Sequence, residues 1–171
     1  LVYRSMNLLF DANGSPLENI TVVPGTTAED QLLGQAFFDT RTVVIYVNNV
    51  PSYDAFVAVL IHEILHFMGF GTLSHESKTS FVNRSDPFTF DHTSSADVLA
   101  CAQQQDATLT TLYSDVTRSH WNVSMNAFRD DIMLPFISFD RSVLSKCTAL
   151  EVLESRPWAQ QICSDDGDCA E

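Results

Sequence analysis

Residues 62–70 read His62-Glu63-Ile64-Leu65-His66-Phe67-Met68-Gly69-Phe70, an H-E-x-x-H pattern followed by a glycine. On a helix, His62 and His66 lie one turn apart, so both imidazoles leave the same face and can bind one metal ion. Glu63 is rotated by about 100° from His62 around the helix axis. We therefore expect its carboxylate beside the metal, where it can take a proton from a metal-bound water. Gly69 is predicted to end the helix, because glycine adopts the left-handed cap conformation at little cost.

The segment around this motif has the pattern of a helix with one face in a core and the other under a cleft. Pro51 and Ser52 are predicted to open the helix, and Asp54 suits the positive end of its dipole. The alternative is a core helix with two incidental histidines, but each buried polar group would then need a partner. Apolar residues with a 3.6-residue period predict a stripe that faces away from the histidines: Val57, Leu60, Ile61, Ile64, Leu65 and Met68.

The composition of the chain indicates one globular domain. Its 171 residues can bury a sizeable core, and a hydrophobic fraction of 45% with 18% charged residues argues against disorder. The net charge of -13 disfavours nucleic acids and anionic membrane surfaces as partners. No apolar run is long enough to span a bilayer. The chain begins at Leu1 without a methionine, which we interpret as a processed or truncated piece, and we expect a monomer.

The cysteines favour disulfides over a metal ribbon. None of the four forms a tight C-x-x-C pair. An even count fits two disulfides, with three possible connectivities. Cys163 and Cys169 are close enough for a local loop, which leaves Cys101 and Cys147 for the second bridge. The alternative is four free thiols in a reducing compartment.

The asparagines of the chain also bear on the location of the protein. Half of the eight asparagines in the chain lie in N-x-S/T sequons, although some would arise by chance in a chain rich in serine and threonine. This bias favours an extracellular or cell-surface protein. The four sequons begin at Asn13, Asn19, Asn83 and Asn122.

The residues before the motif contain two predicted strands. The β-branched run 20–23 predicts a strand stopped by Pro24-Gly25, and 28–33 is interpreted as a short helical turn. Thr42–Val47 is the clearest strand, ended by Asn48-Asn49. This strand could pair with an extended peptide as an added strand, or it could be a core strand with no substrate role.

The residues after the motif predict irregular structure and two helices. Residues 71–92 are polar and predict a long loop, and 106–119 is expected to be irregular. A helix is predicted from Ser94, with Val98, Cys101 and Ala102 facing inward. The acidic tail 159–171 is interpreted as solvated rather than as a calcium site. A final helix over 140–154, stopped by Arg156-Pro157, is predicted to turn four residues inward: Val143, Cys147, Leu150 and Leu153.

A catalytic zinc takes three protein ligands and keeps a fourth position for water. In the pattern H-E-x-x-H-x-x-G-x-x-H the third ligand would fall at Thr72, which is a poor zinc ligand. The remaining histidines are His75, His92 and His120. A carboxylate such as Glu76 is a further candidate, typical of a different class of zinc enzyme.

The order of motifs resembles the leishmanolysin family of metzincin zinc peptidases. Gly69 follows the second histidine, a long insertion comes next, and then a His120-Trp121 pair and Met133 precede a final helix. In that family the chain between the glycine and the third histidine is expanded. The resemblance implies that Glu63 is the general base, that Met133 forms the Met-turn below the metal, and that one Zn²⁺ is bound by His62, His66 and His120.

The resemblance covers about residues 33–158 and implies an α+β metzincin-type catalytic domain. We expect an N-terminal subdomain, residues 1–70, with a small sheet and the active-site helix. A mostly helical or irregular C-terminal subdomain, 71–158, would contain the insertion 71–119. The 61 residues before His62 are short for the family's sheet, and we expect a chain without the family's pro-segment and large C-terminal region. No tyrosine ligand is expected after Met133, and Asn122 is expected to be unglycosylated or to point away from the cleft.

The expected activity is zinc-dependent endopeptidase action on protein or peptide substrates. Glu63 would take the proton of the attacking water and pass it to the leaving amine. A non-catalytic adhesion or binding module on the same scaffold is the alternative from another class. The intact Glu63 argues against it, because nothing structural requires a carboxylate at that position.

Overall fold

The computed structural model describes residues 20–29, 31–71, 90–92, 96–115, 117, 119–139 and 142–154. Over these residues the fold is α+β: a three-stranded mixed sheet comes first and helices follow. In chain order the elements are β1 (Thr21–Gly25), β2 (Gly34–Phe37), β3 (Thr42–Tyr46), α1 (Tyr53–Phe67), β4 (Phe90–His92), α2 (Ala96–Gln103), β5 (Leu112–Ser114), a 3-10 helix (Asn126–Phe128) and α3 (Lys146–Glu154).

The strand β3 is the centre of the N-terminal sheet. The order is β1-β3-β2, with β1 parallel and β2 antiparallel to β3. Val43 and Ile45 of β3 are fully buried, as the alternation of a half-covered sheet requires. The predicted strand over 42–47 is thus confirmed but for its last residue. The suggestion that it pairs with a peptide is wrong, because both of its edges are already hydrogen-bonded.

The two flanking strands differ from expectation in an informative way. β1 runs on through Pro24-Gly25, which the sequence predicted as a turn. In the parallel register the Pro24 nitrogen faces away from β3, so this outer strand loses no sheet hydrogen bond. β2 was not predicted, and no helix forms over the described part of 28–33. The β2–β3 connection turns at Arg41, which has φ 51.

The helix α1 begins and ends where the sequence predicts. The Ser52 hydroxyl caps it by accepting a hydrogen bond from the Ala55 N–H at 3.2 Å. At the other end Gly69 has φ 105. Its N–H donates to the His66 carbonyl, and the Phe70 N–H donates to the Leu65 carbonyl, both at 3.0 Å. These two bonds form a Schellman motif, which reverses the chain directly after the helix.

The burial of α1 corrects the predicted stripe. Its most buried face carries the two histidines and Glu63, whereas Ile61 is 39% exposed and Val57 is only half-buried. The reason is that α1 lies between two clusters of apolar side chains. The sheet core consists of Val43, Ile45, Val59 and Phe67. The C-terminal core consists of Leu65, Phe70, Val98, Cys101, Ala102, Leu112, Trp121, Met125, Ala127, Phe128, Ile132, Met133, Leu134, Cys147 and Val152.

A disulfide joins α2 to α3 inside the C-terminal core. Cys101 and Cys147 are bonded, with their Cα atoms 5.6 Å apart. This confirms one of the two predicted bridges; Cys163, Cys169 and the acidic tail lie outside the described residues. The predicted inward residues of α2 (Val98, Cys101 and Ala102) are all buried. The proposed capping serine, Ser94, also lies outside the described residues.

The last helix is shorter than predicted. α3 starts at Lys146, after the Ser145 hydroxyl accepts a hydrogen bond from the Thr148 N–H. Val143 is 57% exposed because it forms a backbone bridge with Asp131 instead of a helical turn. Leu153 is also exposed, whereas Cys147 is buried as predicted. β5 forms within 106–119, which the sequence predicted to be irregular.

Across the described residues, no helix has both the length and the apolar character that crossing a bilayer requires.

Candidate metal centre

Three histidines converge on one point between α1 and the C-terminal half. The Nε2 atom of His62 lies 3.2 Å from the Nε2 atoms of both His66 and His120. The ring centroids are 4.8 to 5.2 Å apart. Two nitrogens bound at about 2.0–2.1 Å to a tetrahedral ion lie about 3.3 Å apart, so the observed spacing fits a shared metal ion.

The hydrogen bonds of the other ring nitrogens define which nitrogen faces the centre. The Nδ1–H of His62 donates to the Ile132 carbonyl at 2.6 Å, and that of His66 donates to the Phe70 carbonyl at 3.1 Å. The Nδ1–H of His120 donates to a carboxylate oxygen of Asp115 at 3.1 Å. An imidazole that donates from Nδ1 directs its Nε2 lone pair to the opposite side, and for all three rings that side faces the same space.

The two helical histidines are held in their neutral form. Burial lowers the pKa of His62 well below its usual value and, with the neighbouring His120, lowers the pKa of His66 to about 4. Their Nε2 atoms consequently carry no proton at neutral pH, and no hydrogen bond can join them. Three lone pairs that face one another repel, and a cation between them turns this repulsion into coordination. The donor set thus fits a divalent metal that accepts imidazole nitrogen.

The turn after α1 positions His66. The positive φ of Gly69 folds the chain back so that the Phe70 carbonyl meets the Nδ1–H of His66. Gly71, with φ 92, then brings the chain against the segment that carries the third histidine. A Cβ atom at position 71 would lie 2.9 Å from the backbone of Ser119. Gly69 and Gly71 together therefore allow His66 and His120 to approach the same point.

The turn 131–133 positions His62. Its Ile132 carbonyl accepts the His62 Nδ1–H, and its backbone is fixed because the Met133 N–H donates to Asp131 at 2.7 Å. Met133 is fully buried in the C-terminal core. The methionine singled out from the sequence therefore belongs to the turn that holds a candidate ligand.

A buried hydrogen-bond network fixes the segment that carries His120. The Trp121 N–H donates to the Met133 carbonyl at 2.9 Å, and the Trp121 indole donates to the Thr148 hydroxyl at 2.7 Å. Thr148 in turn donates to the Asp131 carboxylate at 2.7 Å. The residue beside His120 is thus tied to the same turn that holds His62. The network explains why a tryptophan directly follows this histidine.

Glu63 lies in the wall of the cleft beside the three rings. It is only 5% exposed, and no described group donates a hydrogen bond to its carboxylate. Burial raises its pKa to about 8. A Cβ atom at Gly34 would lie 2.9 Å from the Glu63 carboxylate, so β2 packs directly against this side chain. The Glu63 carboxyl group is therefore held in the cleft beside the three histidine rings.

The histidines form the floor of a cleft of about 400 Å³. The cleft is also lined by β2 and the residues before it, and by Thr117, Ser119, Pro135 and Ile137. β2 is an edge strand among the described strands, because only its β3 side is paired. The cleft thus combines a three-histidine floor, a carboxylate and an open strand edge.

The structure does not test the other candidate ligands as members of this cluster. His75 and Glu76 lie outside the described residues, and His92 belongs to β4. Among the described residues, His62, His66 and His120 are the group that could hold a metal ion. Sequence reasoning missed Asp115, the carboxylate partner of His120. The signal for it was Asp115-Val116-Thr117, an Asp-x-Thr turn five residues before the histidine.

Comparison with protein-family models, curated proteins and solved structures gives no significant match to this chain. The fold and the site define an α+β protein with a buried three-histidine centre.

Proposed function

We propose that the chain is a zinc-dependent endopeptidase in which His62, His66 and His120 bind one zinc ion and Glu63 is the general base. One observation carries this proposal: three Nε2 lone pairs meet, with His62 3.2 Å from each of the other two, beside a buried carboxylate. Three neutral imidazoles that leave a fourth position open are typical of catalytic zinc, whereas structural zinc sites are closed by four protein ligands.

His62, His66 and His120 would hold the zinc ion, which would act as a Lewis acid and would lower the pKa of a bound water to about 7. Glu63 takes the proton of the attacking water and later delivers it to the leaving amine. Burial raises the pKa of Glu63, so its ionised carboxylate holds a proton more strongly than an exposed glutamate does. Imidazole ligands bring no negative charge, so these three histidines would leave the charge of a bound zinc ion uncancelled, which would favour an anionic transition state.

The free edge of β2 supports the proposal that the substrate is a peptide. The Leu33 carbonyl accepts a hydrogen bond from the Tyr46 N–H at 2.9 Å. By the alternation of an antiparallel pair, the backbone groups of Gly34 and Ala36 then face away from β3. These groups can pair with an extended peptide laid along the cleft as an additional strand. Such a peptide would pass over the three-histidine floor.

The resemblance to leishmanolysin-type metzincins supports the same proposal. It is carried by Gly69 after the second histidine, by the distant His120-Trp121 pair, and by Met133 in the turn that holds His62. We therefore propose a metzincin-type division of the catalytic domain 1–158, with 1–70 as the N-terminal and 71–158 as the C-terminal subdomain.

An extracellular or cell-surface location belongs to this proposal. The Cys101–Cys147 disulfide is of the kind that persists in oxidising compartments. The sequon at Asn122 is proposed to stay unmodified. Its side-chain amide donates to the Ser114 carbonyl at 3.4 Å and accepts from the Ser124 hydroxyl at 2.7 Å, beside the candidate ligand His120.

The substitution Glu63→Gln tests the proposal. Glutamine keeps the size of the side chain but accepts no proton, so kcat should fall by about 10²–10⁴-fold. Bound zinc per chain is measured by elemental analysis, and hydrolysis is followed on an unfolded protein substrate with and without a chelator. Zinc content should be unchanged in the variant.

Each outcome of this experiment has a definite meaning. Full hydrolysis by zinc-loaded Glu63→Gln would remove Glu63 from the mechanism. A wild-type chain that binds no zinc would remove the metal centre. A zinc-loaded wild-type chain that cleaves no peptide would instead favour a non-catalytic binding module.

A further inference from the structure

The third histidine closes a six-residue loop, 115–120, that is built around one carboxylate. The Asp115 N–H donates to the His120 carbonyl at 2.9 Å and closes the loop. One oxygen of the Asp115 carboxylate accepts from the backbone N–H groups of Ser119, at 3.2 Å, and His120, at 3.3 Å. The other oxygen accepts from the His120 ring at 3.1 Å. A single side chain thus holds both the backbone and the imidazole of His120.

Thr117 fixes the carboxylate in turn. Its hydroxyl lies 2.7 Å and 2.8 Å from the two oxygens of Asp115. Because the hydroxyl bridges both oxygens, the plane of the carboxylate cannot rotate without losing this contact. The carboxylate, the threonine and the histidine therefore form one preorganised unit within the loop.

The first two histidines need no such unit. His62 and His66 lie on the same helix, and their Nδ1–H groups donate to backbone carbonyls. His120 lies outside any helix or strand and has a side-chain carboxylate as its partner. The position of the third imidazole in the centre consequently depends on the loop and on its carboxylate.

We propose that Asp115 is the positioning residue for the third histidine ligand, setting both the Nδ1–H tautomer and the ring orientation of His120. This inference rests on the proposed zinc site. Carboxylate partners of metal-binding histidines fix the tautomer and increase the basicity of the ligand nitrogen, and their loss costs about 10–100-fold in metal affinity. The carboxylate supplies for His120 the rigidity that the helix supplies for the other two ligands.

The chain contains a matched control for this role. Asp106-Ala107-Thr108 repeats the Asp-x-Thr pattern of Asp115-Val116-Thr117. Asp106 accepts from the Thr108 N–H at 3.1 Å and from the Thr108 hydroxyl at 2.6 Å, but no described histidine contacts it. Substitutions at Asp106 therefore remove the same local turn without touching the centre.

The test compares Asp115→Asn and Asp115→Ala with Asp106→Asn and Asp106→Ala in the full chain. Zinc affinity is measured by competition with a chromophoric chelator, and ligand geometry is read from the visible absorption bands of the Co²⁺-substituted protein. We expect Asp115→Ala to weaken zinc binding by about 10–100-fold and to alter the Co²⁺ bands. Asp115→Asn should lose less zinc affinity than Asp115→Ala, because its amide oxygen can still accept a hydrogen bond from the His120 Nδ1–H. Both Asp106 variants should have the zinc affinity and the Co²⁺ absorption bands of the wild type.

A further pair of variants and two distinct outcomes separate the possible failures. Thr117→Val, paired with Thr108→Val, removes the brace but keeps the carboxylate, so the inference stays testable if Asp115→Ala does not fold. Wild-type affinity and unchanged Co²⁺ bands in folded Asp115→Asn and Asp115→Ala would overturn the inference and leave the zinc site intact. A wild-type chain that binds neither metal would overturn the proposed function itself.

Discussion

Each imidazole of the centre donates its Nδ1 proton to a different acceptor, and two of these acceptors are backbone carbonyls that no side-chain substitution removes. The direct test of the cluster at the scale of single residues is therefore loss of a ring. His120 is the informative position, because His62 and His66 follow from the local motif whereas His120 comes from 54 residues beyond His66.

His120→Ala should weaken zinc binding far more than His75→Ala or His92→Ala. Removing a ligand should exceed the about 10–100-fold loss expected for an outer-shell partner. Isothermal titration of the metal-free variants with zinc gives the comparison. If His75→Ala or His92→Ala instead gave the larger loss, the third ligand would be reassigned.

Gly34→Ala should lower hydrolysis while zinc binding stays near the wild-type value. The added Cβ would lie 2.7 Å from a Val59 methyl group and 2.9 Å from the Glu63 carboxylate. Displacing a catalytic group by about 1 Å can cost about 10²-fold in rate. Gly25→Ala is the matched control. Gly25 lies on the outer strand β1, away from the cleft, and its added Cβ would lie 2.6 Å from a Val44 methyl group of β3.

Both glycine variants should lose about 1–3 kcal/mol of unfolding free energy from overpacking. Only Gly34→Ala should have a lower kcat/KM than its loss of stability explains. Equal losses of activity in the two variants would mean that the contact between β2 and Glu63 has no catalytic consequence.

Asp115 marks the limit of what the sequence predicts about single residues of the site. His62, Glu63 and His66 follow from helical periodicity, because local spacing alone determines that they share a region of the helix. Asp115 acts on His120 across a loop, and its contact depends on a turn that Thr117 stabilises. Nothing in the spacing of ligands predicts such a partner. The Asp-x-Thr pattern predicts only a turn, as Asp106 demonstrates.

The same division between local and distant information holds for whole elements. α1 was predicted with both ends, because a serine cap and a glycine stop are local signals. β3 was predicted from its β-branched run. β2 was missed because Gly34-Gln35-Ala36 has no strand propensity, and it is a strand only through its pairing with β3. The early part of the predicted last helix fails because Val143 pairs with Asp131.

The burial of α1 has the same origin. Periodicity identified apolar positions but not which face would be covered, and tertiary packing covers the histidine face with the turn 131–133 and the loop 115–120. On that face His62 finds a partner across the interface, the Ile132 carbonyl, and His66 finds one in the Phe70 carbonyl of the turn after the helix. The Glu63 carboxyl has no such partner among the described residues, and its burial raises its pKa.

Gly71→Ala should weaken zinc binding through a change between elements, without altering any ligand. The residue has φ 92, and its Cβ would lie 2.9 Å from the Cα atom and the carbonyl oxygen of Ser119. Backbone atoms cannot yield as a side chain can, so the segment that carries His120 should move away from α1. We expect about a tenfold or greater loss of zinc affinity, of the order seen when an outer-shell support is lost. Wild-type affinity in a folded Gly71→Ala variant would show that the approach at Ser119 does not set the position of His120.

On the scale of the whole molecule, α1 separates the sheet core from the C-terminal core, and the three histidines lie where the two meet. The disulfide constrains only the C-terminal part, because Cys101 and Cys147 both belong to it. It closes a loop of 46 residues that contains both His120 and Met133, which corresponds to about 4 kcal/mol of loop entropy. No such covalent link joins α1 to the C-terminal part within the described residues.

A metal ion would supply that missing link, which predicts a large thermal effect of zinc. At free zinc of about 1,000 times Kd, binding adds about 4 kcal/mol to the unfolding free energy. For a chain of this length that corresponds to a rise in Tm of about 8–16 °C over chelator-treated protein. Calorimetry of the wild type and His120→Ala measures it. His120→Ala should lose most of the rise, since its two remaining ligands lie on one helix and bridge nothing. A similar rise in both proteins would show that zinc binds α1 alone and that the two halves are held together without it.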